Sequence, residues 1–421
     1  MKAYRKQIRG GLAMIGGNIA NFALTLGRNK LLALFFGPEG LGWIALVNNI
    51  IETVSVAAGM GVCDAYNREL PRARPRFTQT QLISSGLGLF VISLVLVLPP
   101  AIWLLLETVD PRDGWTALII GFAISAVLAA AWRVFGGIYL GFGFSRRLVT
   151  AMVLGGIANL VVAAILLWLG VRDLMVYVAM SPGFLAVLGA WGLWPQLSTL
   201  VSWPDLRRMP AWRPILAIAG PVVLGLLLEP AALLYLRAAT ETRFGELGLG
   251  LIQPGLLFVI MASSMFNAFM GITIARWDQL HEPAFSRRYM VLLACSVALP
   301  VAGSAFMFLV APIWPFVVEL LFTAEFVPGT QTISYFLAGE ALRMGGSLLM
   351  HTLFSRKLGY LTILPRAALL GVAIAGVQAV EIASIMDIAR IYTAAFGAFF
   401  AVSLVLWLGA QLRFRQTERA A

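Results

Sequence analysis

Ten charged side chains stand inside long apolar stretches of this sequence: Arg28, Lys30, Arg133, Arg343 and Arg366, and Glu52, Asp64, Glu229, Glu319 and Glu340. A charge at the centre of a bilayer costs about 2.5–3.5 kcal/mol even on an insertion-based scale, so such residues are expected to face a protein interior or a wet cavity. Three of the stretches place polar residues in a stripe. Asn18, Asn21, Thr25 and Arg28 recur at intervals of three and four, one face of a helix. Asn48, Glu52, Ser55 and Gly59 do the same, as do Glu340, Arg343, Ser347 and His351. Glu340 and Arg343, three apart, are spaced to pair. Arginines on such a face can hold a phosphate through a planar fork of donors. Carboxylates beside them can exchange a proton or a cation.

The other intramembrane charges have plainer readings as well. Asp64 and Glu319 lie near helix ends and reach water there. Lys30, two positions from Arg28, points to a different face and either snorkels outward or joins a cavity. Arg133 and Arg366 either bond to helix carbonyls or face the cavity. Glu229 precedes Pro230, where a helix break would free backbone groups beside a carboxylate. His351 reads as a hydrogen-bonded interfacial residue.

The elements that must carry these residues are membrane spans. Of 421 residues 60% are hydrophobic and only 12% charged, against about 25% charged in a soluble domain. Runs long enough to cross a bilayer are predicted near 10–36, 42–64, 80–106, 115–140, 148–170, 174–195, 214–236, 247–275, 289–322, 330–354, 358–380 and 389–411. Pro312 and Pro315 predict a break in the ninth. The stretch from Lys2 to Arg9, followed by an apolar run to Phe36 with no small-residue cleavage site, reads as a first span rather than a removed leader.

Most of the 31 basic residues fall in alternate gaps: Lys2 to Arg9, Arg68 to Arg76, Arg146–Arg147, Arg207 to Arg213, Arg276 to Arg288, Arg356–Lys357 and Arg413 to Arg419. The other gaps hold Arg112, Arg172, Arg237, Arg243 and Arg390 amid acidic residues such as Glu107, Asp173 and Glu241. The positive-inside rule makes the first side, and both termini, cytoplasmic. The net charge of +11 is therefore topology, not a nucleic-acid footprint. The gaps are short and leave no room for a soluble catalytic domain. Cys63 and Cys295 read as separate buried thiols, and the two histidines, His281 and His351, make no metal spacing. Tryptophans 115, 191, 194, 203, 212 and 314 sit at span ends and read as interface belts. A short repeat links the halves: Phe36-Gly37-Pro38-Glu39-Gly40-Leu41-Gly42 and Phe244-Gly245-Glu246-Leu247-Gly248-Leu249-Gly250, 208 positions apart. An even number of spans per half makes the repeat parallel.

The stretch Gly27-Arg28-Asn29-Lys30-Leu31-Leu32-Ala33-Leu34-Phe35-Phe36-Gly37-Pro38-Glu39-Gly40-Leu41-Gly42 resembles the opening of Wzx-type O-antigen and polysaccharide flippases. These belong to the multidrug/oligosaccharidyl-lipid/polysaccharide (MOP) exporter superfamily. Lys30 falls on the family lysine. Gly339-Glu340-Ala341-Leu342-Arg343 resembles a family stretch with an acid and, three residues on, a base, and Pro230 and Gln253 match recurrent positions. Arg133 and the Glu229–Pro230 pair match no general motif. The resemblance implies an all-α integral membrane fold of 12 transmembrane helices in two six-helix lobes around a central cavity: 1–200, a cytoplasmic linker at 201–213, and 214–421. It implies export of a polyprenyl-diphosphate-linked oligosaccharide, such as an O-antigen repeat unit, across the bacterial inner membrane.

The residues expected to hold such an anionic substrate are Arg28, Lys30, Arg133, Arg343 and Arg366, with Asn21 and Asn48. Glu52, Glu229 and Glu340 are the expected coupling carboxylates, and Glu52 and Arg28 are a candidate pair. No cofactor or metal is expected beyond a proton or sodium gradient. Besides the glycan lipid, the partners are membrane lipids and other polysaccharide-assembly proteins, and a monomer is expected. The rival readings are a multidrug exporter of the same fold, which would favour a more acidic cavity, and a membrane polymerase or ligase, which would need a large outer loop.

Overall fold

The computed structural model describes residues 2–59, 61–71, 73, 76–109, 114–277, 285–355 and 358–420. Arg72, Arg74, Asp110, Arg112, Asp113, His281, Arg356 and Lys357 lie outside the described residues, as do the side chains of Lys2 to Arg9, Arg68, Arg76, Arg276 and Arg419. Among the described residues every regular element is helical: α1 (Lys2–Gly59), α2 (Val62–Glu69), α3 (Arg76–Thr108), α4 (Trp115–Gly141), α5 (Ser145–Trp168), α6 (Leu174–Leu200), α7 (Trp203–Arg208), α8 (Trp212–Trp277), α9 (Arg287–Leu309), α10 (Trp314–Leu321), α11 (Ile333–Ser355), α12 (Ile363–Ala379) and α13 (Ile385–Ala420). Only a helix or a closed barrel satisfies its own backbone in lipid, and the apolar runs supply the helix.

Nine of the described helices are long and apolar enough to cross a membrane. Their outer faces carry bare aliphatic and aromatic side chains, such as Leu96 at 67% exposure and Trp168 at 83%. The chain is a multi-pass membrane protein.

Two of these helices are far longer than a bilayer requires. The apolar parts of α1 and α8 run to 47 and 43 residues, about 65–70 Å at 1.5 Å per residue against a hydrocarbon core of about 30 Å. Each is broken at one residue. Gly37 has φ 63°, ψ −168° and Gly245 has φ 64°, ψ −169°. That region of backbone space is essentially reserved for glycine. The gaps expected at these points thus close to one residue each, and the two members of the short repeat adopt the same conformation. Their turns also touch. A Cβ at Gly42 would collide with the Glu246 carbonyl, and one at Gly250 with the Pro38 carbonyl. Position 38 corresponds to 246 and position 42 to 250, so the contact is reciprocal.

Several boundaries differ from expectation. The expected second span reaches 64, whereas α1 ends at Gly59 and α2 starts afresh after Gly61, φ 65°. The helix runs unbroken through Pro230, as a span over 214–236 requires, and the one non-helical residue of α8 is Gly245. The proline ring removes the hydrogen bond to the carbonyl four residues back without interrupting the torsions. Arg237, expected in an outer gap, lies inside α8 and is buried. The break expected near Pro312 is present as a 3₁₀ turn at Ala311–Ile313 between α9 and α10. The linker residues include the short helix α7, fastened to α3: Ser84 Oγ accepts from Ser202 N (2.9 Å) and Ser85 Oγ from Ala211 N (3.0 Å). Cys63 is half-buried but Cys295 is exposed, which corrects the reading of two buried thiols; both are free. The Trp314 indole donates to Ser334 Oγ (3.1 Å) and lies against Phe258.

The chain divides into two compact units. One comprises Leu12–Phe36 and Trp43–Pro230; the other comprises Met1–Gly11, Gly37–Gly42 and Ala231–Ala421. The first has a core around Tyr66, Ile83, Ile138, Tyr139 and Leu193. The second has one around Tyr289, Leu349, Leu353 and Trp407.

Candidate functional site

In the second unit the polar stripe of α11 closes into a three-residue ring. Arg343 Nε donates to Glu340 Oε2 (2.7 Å) and its Nη2 to Glu340 Oε1 (2.6 Å), a two-pronged contact across one helical turn. Nη2 also donates to Ser263 Oγ (2.7 Å), and the Ser263 hydroxyl donates to Glu340 Oε1 (2.7 Å). Ser263 comes from α8, so the ring ties two helices. Glu340 is 1% exposed and Arg343 9%. At that burial neither charge is tolerable alone, while together they form a hydrogen-bonded ion pair. Sequence spacing located the pair but not Ser263, whose signal is a hydroxyl in the middle of the apolar run of α8. Of the other stripe members, Ser347 and His351 are half-buried.

In the first unit the polar stripe of α1 turns inward. Arg28 is buried, and its Nη2 donates to the Tyr177 carbonyl of α6 (2.6 Å), while its Nε has no protein partner. One turn and two turns earlier, Thr25 and Asn21 line a cavity of about 30 Å³ with Asn159 of α5 and Ser181 of α6. That is room for one water. Asn159 is buried and its Oδ1 is without a protein partner. Asn159 and Ser181 are polar residues within apolar runs and belong to no polar stripe, so spacing does not mark them.

The stripe of the later half of α1 meets α4. Glu52 forms an ion pair with Arg133 and accepts a hydrogen bond from Ser55 (3.4 Å). Both side chains stay open, Glu52 at 57% and Arg133 at 34% exposure. The candidate pairing of Glu52 with Arg28 is therefore not the one made: Arg133 holds the carboxylate, and Arg28 is held by a carbonyl. Arg133 had matched no motif, and its partner lies 81 positions away, beyond any helical spacing.

Lys30, Asn48 and Glu229 are half-buried. Arg366 Nη1 reaches the Thr362 carbonyl one turn back on its own segment (3.5 Å), the helix-carbonyl reading. Gln253 is buried in α8.

No protein-family model matches the sequence, and no curated protein does. Solved structures do match, over nearly the whole chain. A MOP superfamily transporter from Pyrococcus furiosus, described as having a binding pocket of reverse polarity that suggests a different function, superposes with a TM-score of 0.69 at 16% identity, covering 98% of this chain and 96% of that one. An inward-facing multidrug resistance MATE family transporter of the same superfamily gives 0.70 at 16% identity, covering 98% and 99%. An outward-facing one gives 0.66 at 19% identity, covering 99% and 97%. The chain has the fold of these transporters.

Proposed function

We propose that this protein flips a polyprenyl-diphosphate-linked oligosaccharide across the bacterial cytoplasmic membrane, as Wzx-type flippases do, by alternating access of two six-helix lobes. Twelve crossings follow if α1 and α8 each cross twice, on either side of Gly37 and Gly245, and α11 crosses with its charges already paired. The basic residues of the alternate gaps then face the cytoplasm, with both termini.

The observation that carries the reading is the state of the intramembrane cations. Arg28 is buried with no carboxylate on it among the described residues, and Arg343 is held by the carboxylate one turn away on its own helix. A diphosphate group brings the counter-charge that Arg28 lacks and competes with Glu340 for Arg343. The glycan follows the diphosphate through the polar interior while the polyprenyl tail stays in lipid. Glu340, once released, is a buried carboxylate without its cation. It takes up a proton or sodium ion, which links cargo to the ion gradient.

A multidrug exporter is the second reading, favoured by the MATE transporters among the matching structures. The two are separated by reconstituting the protein in vesicles. A fluorescent lipid-linked oligosaccharide should become accessible to a membrane-impermeant glycosidase at a rate that Arg28→Ala abolishes. Extrusion of a cationic dye without glycan-lipid flipping would establish the exporter instead.

A further inference from the structure

A groove of about 480 Å³ runs between α5 and α6 in the first unit, away from the polar stripes. Its wall is built at helical spacing on both sides. On α5 it is Arg147, Thr150 and Leu154; on antiparallel α6 it is Leu188 and Trp191, with Arg146 completing the mouth. One end is thus doubly cationic and the other apolar. Trp191 is 72% and Leu154 45% exposed, so the apolar end opens to the surface. The floor is Tyr139 of α4, fully buried, whose hydroxyl donates to the Gly189 carbonyl (3.0 Å). The groove keeps its depth because position 192 is glycine: a Cβ there would collide with that hydroxyl.

The two arginines have no acidic partner among the described residues. Arg147 lies over the Phe144 ring, 4.8 Å from its centre, and with the Gln196 amide oriented to satisfy both neighbours its Nη1 donates to Gln196 Oε1 (3.2 Å). These contacts orient the guanidinium without neutralising it. Both arginines sit in the first turn of α5, where the helix dipole disfavours a cation, so they do not serve the helix.

We propose that this groove binds an anionic membrane phospholipid as a resident ligand. Its phosphate lies between the guanidinium groups of Arg146 and Arg147, and its upper acyl chain runs along Leu154, Leu188 and the Trp191 ring. The charge pattern selects the occupant. A lipid with a net negative headgroup supplies the missing counter-charge, whereas a zwitterionic one brings its own cation to the same spot. The site is independent of the cargo.

The test is lipid retention by the full-length protein. In native mass spectrometry, the detergent-purified protein should hold phosphatidylglycerol in preference to phosphatidylcholine. Arg146→Gln/Arg147→Gln should lower that preference about tenfold or more, the scale on which two surface cations bind anionic lipid, and the double lysine variant should keep most of it. In vesicles, brominated phosphatidylglycerol should quench a component of tryptophan emission that is absent from Trp191→Phe. Equal retention of the two lipids, or retention unchanged in the double glutamine variant, would overturn the proposal. So would preferential binding of a polyprenyl diphosphate over phosphatidylglycerol at these arginines, which would give the groove to cargo.

Discussion

Gly42 and Gly250 occupy equivalent places in the two copies of a short repeat, and each lies against the backbone of the other copy's turn: Gly42 against the Glu246 carbonyl, Gly250 against that of Pro38. Neither neighbour is a side chain that can swing aside. Alanine at either position forces two backbones apart, at a cost of about 1–3 kcal/mol for overpacking, read as a lowered melting temperature in detergent. The double substitution should cost less than the two singles added, since the first already separates the turns. Gly397→Ala, where nothing lies within 4 Å of the new Cβ, should leave the melting temperature unchanged or slightly raised.

The Arg343–Glu340–Ser263 ring predicts an ordered set of stabilities. Arg343→Ala strands a carboxylate that is 1% exposed and should destabilise by about 3–5 kcal/mol. Replacing both charges together, Glu340→Gln with Arg343→Gln, should recover much of that loss. Ser263→Ala removes one donor and one acceptor and should cost about 1–2 kcal/mol. Detergent melts rank all three, and a double variant no more stable than Arg343→Ala would remove the ion pair from the account.

Transport should separate the two members of that pair. Glu340→Gln should still bind the lipid-linked oligosaccharide but flip it at a rate indifferent to a pH or sodium gradient. Flipping in vesicles with and without each gradient measures this. A Gln variant that follows the gradient as the parent does would make Glu340 a structural partner of Arg343 only.

Glu52 and Arg133 are open enough that their ion pair adds little to stability, about 0–1 kcal/mol. Either single neutral variant should melt as the parent does. Their value is positional, so the reversal Glu52→Arg/Arg133→Glu should restore transport that Glu52→Arg alone abolishes. Failure of the reversal, with the protein still folded, would show that the sign of the charge at each position matters and not the pairing.

Arg28 offers a test of geometry rather than charge. One nitrogen already serves the Tyr177 carbonyl, leaving the rest of the fork for cargo. Arg28→Lys keeps the cation but cannot do both, so it should retain only a fraction of flipping activity, with Arg28→Ala retaining none. Full activity in the lysine variant would mean that a point charge suffices.

The membrane fold was legible because hydrocarbon imposes one rule, a long apolar run, that leaves its mark on every span. The Glu340–Arg343 pair was legible for a similar reason: both members sit on one helix, where spacing is distance. Arg133 with Glu52, Arg28 with the Tyr177 carbonyl, and Ser263 on the ring are all contacts between helices, and nothing in a single sequence encodes which faces meet. The turn at 36–42 is legible in composition but shorter than its glycines suggest, because one glycine outside the torsional range of other residues breaks the helix where an ordinary loop takes several. Pro230 is the opposite case. A proline marks a missing hydrogen bond, and α8 bears that loss without bending out of helical torsions.

The ring on α11 also bears on how the protein is made. A helix leaving the ribosome enters the bilayer before most of its neighbours are in place. Arg28 waits for a carbonyl 149 positions downstream and Glu52 for an arginine 81 positions on, so α1 must cross with exposed charges or be held back until later segments arrive. Glu340 and Arg343 need only one turn of their own helix. α11 therefore carries its counter-ion with it and is a net-neutral segment as soon as it is synthesised, with Ser263 already made ahead of it to receive the pair.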